Sequence, residues 1–218
     1  SSKFKTKWEL EEELGAYPVG KNRFSNTEGE WLPLYEGKMI QAFDHRAASV
    51  VINPTNLHRP AQSVAATAEE HIDPDWLPAP QYWVSAKECN WRPKDKWTLG
   101  FKEITSPTNM RTFIAAILPT LGFGNKVPLL KSDEDVRDEW LLAANFNAII
   151  FDFLVRQKIQ GQTLNLYIVE QFPVVPPEVY ETFELGGSPA KNVIRDIVLE
   201  LVYTSNDLSG FAEHLGHF

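Results

Sequence analysis

Cysteine is nearly missing from this 218-residue chain: Cys89 stands alone, so no internal disulfide can form, and a reducing, cytoplasmic setting is the expectation. Long apolar runs are missing as well. The longest, 148–155, is interrupted by Asp152 and is far too short to span a bilayer, so no membrane partner is expected. The opening Ser1-Ser2-Lys3-Phe4-Lys5 has no basic segment followed by an apolar run, and no signal peptide is read there. Positive charge is in deficit: 21 Lys and Arg face 29 Asp and Glu, a net charge of −8. That balance counts against a ligand held mainly through phosphates, whose affinity comes from counterion release.

Recognisable site chemistry is scarce too. There is no Gly-rich phosphate loop and no nucleophile elbow. Leu121-Gly122-Phe123-Gly124-Asn125 lacks the third glycine of a dinucleotide fingerprint and reads as a turn between strands. His214 and His217 could share a helix face, but no third ligand stands nearby, so no metal is expected. Cys89 lies between Lys87 and Arg92, which could lower a thiol pKa; with no histidine near it in sequence, it reads as a structural thiol. Asn53-Pro54-Thr55-Asn56 lacks the second proline and the aromatic residue of an amino-methyltransferase loop and reads as a turn. A chain of this size without a catalytic constellation reads as a binding module rather than an enzyme.

What is present is core material. Hydrophobic residues make up 43% and charged residues 23%, and seven Trp, six Tyr and thirteen Phe argue against disorder. Strands are expected at 38–43, 49–52, 81–85, 97–102 and 112–118, short β-branched or aromatic segments set off by Pro, Asn and Asp. The 53–80 connection carries five prolines and reads as a long surface loop, and 3–31 shows little periodicity. One long helix is expected over 139–158, with Leu142, Phe146, Ile149, Ile150, Phe153 and Leu154 on its core face and Gly161 as its stop. A second begins at Ser188-Pro189, with an apolar face of Val193, Ile194, Ile197, Val198, Leu201 and Val202. A short third helix covers 207–215. The expected class is mixed α+β, with strands in the first two thirds and helices behind them. The expected division is a recognition-like unit over 1–175 and a helical extension packed on it over 176–218.

Several blocks, in order, carry a resemblance. They include Trp8-Glu9-Leu10, Leu32-Pro33-Leu34-Tyr35-Glu36-Gly37-Lys38-Met39-Ile40, Phe43-Asp44-His45-Arg46 and Tyr82-Trp83-Val84. Trp97-x-Leu99-Gly100-Phe101-Lys102, Arg111-Thr112 and Ala115-Ala116-Ile117-Leu118-Pro119 follow. Phe151-Asp152-Phe153, Arg156-Gln157-Lys158-Ile159, Glu170-Gln171-Phe172-Pro173 and Leu199-Glu200-Leu201-x-Tyr203-Thr204 complete the series. Together these resemble the C-terminal target-recognition region of type IIG restriction-modification enzymes and related phage-defence adenine-specific DNA methyltransferases. The resemblance implies a twisted sheet with irregular loops backed by a long helix. It also implies a function: a non-catalytic module that clamps double-stranded DNA opposite the catalytic methyltransferase domain of the same polypeptide. S-adenosylmethionine would then bind in an upstream domain and not in this chain. The parent protein would be a site-specific adenine methyltransferase, with or without endonuclease activity.

The DNA-contact candidates start from a basic island. Between 87 and 111 six basic residues face three acidic ones, with Trp91 and Trp97 interleaved and Pro93 stiffening the loop. Lys87, Arg92, Lys94, Lys96 and Lys102 are the phosphate candidates, against a solvated charged loop as the alternative. Asn109 and Arg111 could make bidentate base contacts, although Arg111 could equally anchor a loop. Lys38 and Arg46 lie in the most specific blocks, with pairing to Glu36 or Asp44 as the alternative, and Asn125 and Lys126 mark a loop tip. The acidic C-terminal part leaves a second reading open, a protein-interaction module of a defence complex without direct DNA contact.

Overall fold

The computed structural model describes residues 3–52, 61–92, 94–131 and 138–217. Its strands, in chain order, begin with β1 (Phe4–Lys5), β2 (Tyr17–Gly20), β3 (Arg23–Asn26), β4 (Gly29–Tyr35), β5 (Ala48–Val51) and β6 (Gln62–Ala65). They continue with β7 (Trp83–Ser85), β8 (Trp97–Phe101), β9 (Ala115–Pro119), β10 (Gly122–Phe123), β11 (Leu129–Leu130), β12 (Glu184–Leu185) and β13 (Ser188–Pro189). The helices are α1 (Ala68–Ile72), α2 (Glu139–Phe146), α3 (Ile149–Lys158), α4 (Leu166–Val169), α5 (Pro177–Thr182), α6 (Ala190–Val202) and α7 (Ser209–His214). The class is mixed α+β, as expected. One sheet runs β1-β7-β4-β3-β2 with β10 added in parallel to the end of β4; a second runs β11-β8-β9; β5–β6 and β12–β13 are two-stranded ribbons.

The 3–31 segment is more ordered than its weak periodicity suggested. Lys21 and Asn22 both take positive φ, 50° and 54°, which makes the tight turn that joins β2 to β3 with matching twist. The Trp83 indole N–H donates to Asn22 O at 2.6 Å and fastens that turn to β7. Phe24, Trp31 and Trp83 then close over Leu10 and Ala16 as a small separate core. Its signal was hidden because β2 and β3 have only four residues each and Pro33 interrupts the pattern of β4.

β9 explains how the layers join. Ala115 and Ile117 face a core shared with the helices, while Ala116 and Leu118 face a second core containing Tyr35, Met39, Ile40 and Val50. All five residues of β9 are buried, which is why the strand reads as a continuous apolar run rather than an alternating one. In the helical core Phe113 stacks on Phe101 at 5.3 Å, and Phe146 and Phe151 meet it at 4.8 and 5.2 Å. Val198, Val202 and Phe211 join the same core from beyond residue 175.

Beyond the start of α6, which lies at Ala190 because Ser188–Pro189 pairs with β12 as β13, four expectations need correction. The 38–43 segment is no strand: Gly37–Met39 forms a single helical turn, so adjacent Met39 and Ile40 are both buried, and Phe43 turns the chain back at φ 63°. The 53–80 connection is not one loop, because β6 pairs with β5 and α1 follows, capped by Thr67 and Glu70 in a reciprocal capping box; residues 53–60, with the Asn53–Asn56 turn, lie outside the described residues, as does Pro93. The 121–125 turn contains β10, whose Gly122 has no room for a Cβ between Val84 and Pro33 O.

The fourth correction concerns the helix expected over 139–158, which is two helices broken at Asn147-Ala148. Asn147 explains the break. Its Oδ1 accepts from Ala115 N at 3.1 Å and its Nδ2 donates to Ala115 O at 2.9 Å, so the side-chain amide pairs with β9 as another strand would. After the break the helix turns a different face inward. Phe151, Asp152 and Val155 are buried, whereas Ile149, Ile150 and Phe153 are 79%, 67% and 54% exposed.

Candidate nucleic-acid groove

Where β10 runs alongside the end of β4, the surface carries two adjoining concavities that share Phe4 and Leu34 in their walls. The larger encloses about 650 Å³ and is lined by Lys38, Lys102 and Lys126 with Glu36, over Leu34, Tyr82 and Ile104. The smaller, about 320 Å³, holds Trp91, Phe123 and Lys131, with Lys3 and Glu88 at its edge. Five lysines line one groove of a chain whose net charge is −8. Four carboxylates (Glu36, Glu88, Asp95 and Glu103) pair with four of them, Lys3 with Glu88 at 2.6 Å among these. A depression focuses the field of the charges that line it, and here the lysines outnumber the carboxylates they meet by one, Lys102, where the chain as a whole is negative.

Each lysine of the larger lobe is placed differently. Lys38 pairs with Glu36 at 3.0 Å and donates to Ala61 O at 3.0 Å. Lys126, at the tip of the turn after β10, pairs with Glu103 at 3.0 Å. Lys102, just past β8, is half-buried and has no carboxylate partner among the described residues; burial pushes its pKa below the usual lysine value. Gly37 keeps the lobe narrow, since its Cβ position lies only 3.0 Å from Lys126 O. In the smaller lobe Lys131 sits over the Trp91 ring at 4.0 Å while pairing with Asp95 at 3.5 Å, and Trp91 Nε1 donates to Leu121 O. Cys89 lines this lobe as well, and burial together with Glu88 pushes its thiol pKa up, against the lowering its basic neighbours suggested.

The basic island therefore does not form one surface. Lys87 reaches back to donate to Glu28 O before β4. Arg92 clamps Asp95, which is buried. Lys96 lays its stem on Gly210 in α7, 2.7 Å from that residue's Cβ position. Lys94 is exposed; of the island's phosphate candidates, Lys102 lines the groove. Asn109 is exposed on the loop before β9, and Arg111 donates to Asn147 O at 2.9 Å, the loop-anchoring alternative. Arg46 must be withdrawn as a DNA contact. It is fully buried, and its guanidinium donates to the carbonyls of His71, Asp73, Trp76 and Thr204 at 2.7–3.0 Å.

One cluster went unseen in the sequence. His45, 1% exposed, brings its Nε2 within 3.2 Å of both Ser205 Oγ and Asp207, and Ser205 also hydrogen-bonds Asp207. A hydrolytic triad places nucleophile and acid on opposite ring nitrogens, whereas here both sit on Nε2 inside a closed core. The cluster fastens the C-terminal segment to the turn after β4. The two C-terminal histidines do not converge: His214 packs on Trp97 and His217 on Tyr203. Among the described residues no three His, Cys, Asp or Glu side chains gather as a metal set, and no helix is long and apolar enough to cross a membrane.

The chain matches no family model, and no curated protein and no solved structure shows significant similarity to it.

Proposed function

We propose that this chain is a non-catalytic, sequence-specific DNA recognition module of a larger cytoplasmic N6-adenine DNA methyltransferase of the restriction-modification or phage-defence kind. The observation that carries the reading is the lysine-lined groove on an otherwise acidic chain. An enzyme that rotates a base out of the duplex needs a second surface to hold the DNA, and a basic groove beside irregular loops suits that task. Within the module Lys38, Lys102 and Lys126 hold phosphates, and Asn109 and Asn125 on exposed turns are the base-reading candidates. S-adenosylmethionine and the methyl-transfer residues belong to the catalytic domain of the same polypeptide.

Titration into fluorescent random-sequence duplex DNA tests this. Each phosphate contact contributes a slope of about −0.9 in log K against log salt, so the three lysines of the larger lobe give roughly −2 to −3. Lys38→Ala with Lys126→Ala should flatten that slope by about 2. An unchanged slope in the double variant would remove the groove from the interface.

The exposed face of α3 favours a second reading, protein interaction. Ile149, Ile150 and Phe153 stand on it, and Met110, 95% exposed, lies on the loop that Arg156 of the same helix pins. In the recognition reading this face rests on the catalytic domain. In the interaction reading it is the main surface, and duplex DNA does not bind at any salt.

A further inference from the structure

The larger lobe is built for more than a passing phosphate. A backbone phosphate on a duplex needs only exposed cations, yet this lobe is a concavity of about 650 Å³, within the range of sites that enclose a small ligand. Its charged rim surrounds an apolar wall of Phe4, Leu34, Tyr82 and Ile104. The Tyr82 ring, half-buried, has no aromatic partner among the described residues, and its hydroxyl is already held by Gln81 Nε2 at 3.0 Å. Lys102 stands at the same lobe without a counter-ion among the described residues, while Lys38 and Lys126 each share a carboxylate. An unpaired ammonium partly withdrawn from water is a poor surface charge but a good anion ligand, because the incoming anion offsets a desolvation already incurred.

The geometry points to a pocket for one unstacked nucleotide, its phosphate on Lys102 between Lys38 and Lys126 and its base against Tyr82 and Leu34. The chemistry is that of a monoanionic or dianionic phosphate joined to a flat, largely apolar ring, which rules out sulfate-like ions and plain nucleosides as good ligands. Such a nucleotide has two sources, a single-stranded or extruded nucleotide of bound DNA and a free mononucleotide. The inference rests on the DNA-recognition reading for the first source and stands apart from it for the second.

The experiment compares one labelled duplex in two forms, blunt and with a short single-stranded tail, on the 218-residue chain. Stacking on a protein wall raises affinity by on the order of tenfold per base, so the tailed form should bind about tenfold tighter. Tyr82→Leu should abolish that difference while leaving blunt-duplex affinity within about twofold, and Lys102→Met should abolish it while weakening both forms through the lost phosphate contact. Lys126→Ala, at an exposed site, gives a second test if either of these fails to fold. Thymidine 5′-monophosphate should compete away the tail advantage, and neither thymidine nor inorganic phosphate should match it. Equal binding of tailed and blunt duplexes would overturn the pocket while leaving DNA recognition standing. Equal competition by inorganic phosphate would also overturn it, because the wall would then contribute nothing. If neither duplex binds, the recognition reading falls, and thymidine 5′-monophosphate followed by intrinsic fluorescence decides the pocket alone. Binding lost in Lys102→Met supports it as a free-nucleotide site, and no binding overturns it.

Discussion

His45 Nε2 lies 3.1 Å from Asp207 Oδ1, joining residues 162 positions apart in a closed interior. Burial alone would raise the Asp207 pKa, but the hydrogen bond and charge of His45, the Ser205 hydroxyl and the charge of Arg46 outweigh it. The carboxyl is thus held below its ordinary value of 3.8. The unfolded chain therefore binds more protons in the acid range, so this contribution is whole above pH 3.8 and is lost as the pH falls through the folded value. Asp207→Asn should cost on the order of 2–3 kcal/mol at neutral pH, with the deficit shrinking in acid. Urea unfolding across pH measures this, and a deficit that does not change with pH would contradict it.

Arg46 ties together the chain before β5, the 71–76 segment and the stretch just after α6. Lysine cannot reproduce that fork, since it offers three donors from one point. Arg46→Lys is expected to destabilise by roughly 2–4 kcal/mol and to lower Tm by about 5–15 °C. DNA affinity of the folded fraction should stay at the wild-type level. Weaker DNA binding with an unchanged melt would reverse the assignment.

Adjacent residues on α3 should behave in opposite ways. Ile150→Asp, at a site 67% exposed, should move the unfolding free energy by no more than about 0.5 kcal/mol. Phe151→Ala, at a buried ring packed on Phe113 and Phe172, should cost about 3–5 kcal/mol. Chemical denaturation of the two variants side by side separates this face assignment from the reverse one.

Lys102 should trade stability against binding. Burial lowers its folded pKa below 10.5, so the wild-type chain gains stability as the pH rises through that depressed value. Lys102→Met removes the gain and is expected to raise Tm at neutral pH by on the order of 1–2 °C while weakening phosphate binding. A lower Tm would mean that the ammonium is stabilised by its surroundings.

Legibility followed the length scale of each signal. β8 and β9 could be read because each is a fully buried run. The body of α6 could be read because thirteen residues display a helical period, although its start was misplaced and Ile197 and Leu201 of its expected face are exposed. The β2–β3–β4 meander could not, since its order comes from a two-residue turn and from Trp83, far away in sequence. The 139–158 segment misled because its apolar residues fit one helical face, while the decisive residue, Asn147, acts on Ala115 rather than on its neighbours. In the groove, Lys38, Lys102 and Lys126 were visible as charges, but their convergence depends on β10 adding to β4 in parallel. Arg46 was misassigned because a buried arginine and a phosphate-binding one look alike in a sequence.

The two-sided burial of β9 has a dynamic consequence. A strand that forms the wall of two cores cannot open toward one without exposing the other, so its amide hydrogens should exchange only when the whole molecule unfolds. The groove layer and the helical layer then share a single opening free energy. A ligand held in the groove would slow exchange in α2 and α6, which it never touches.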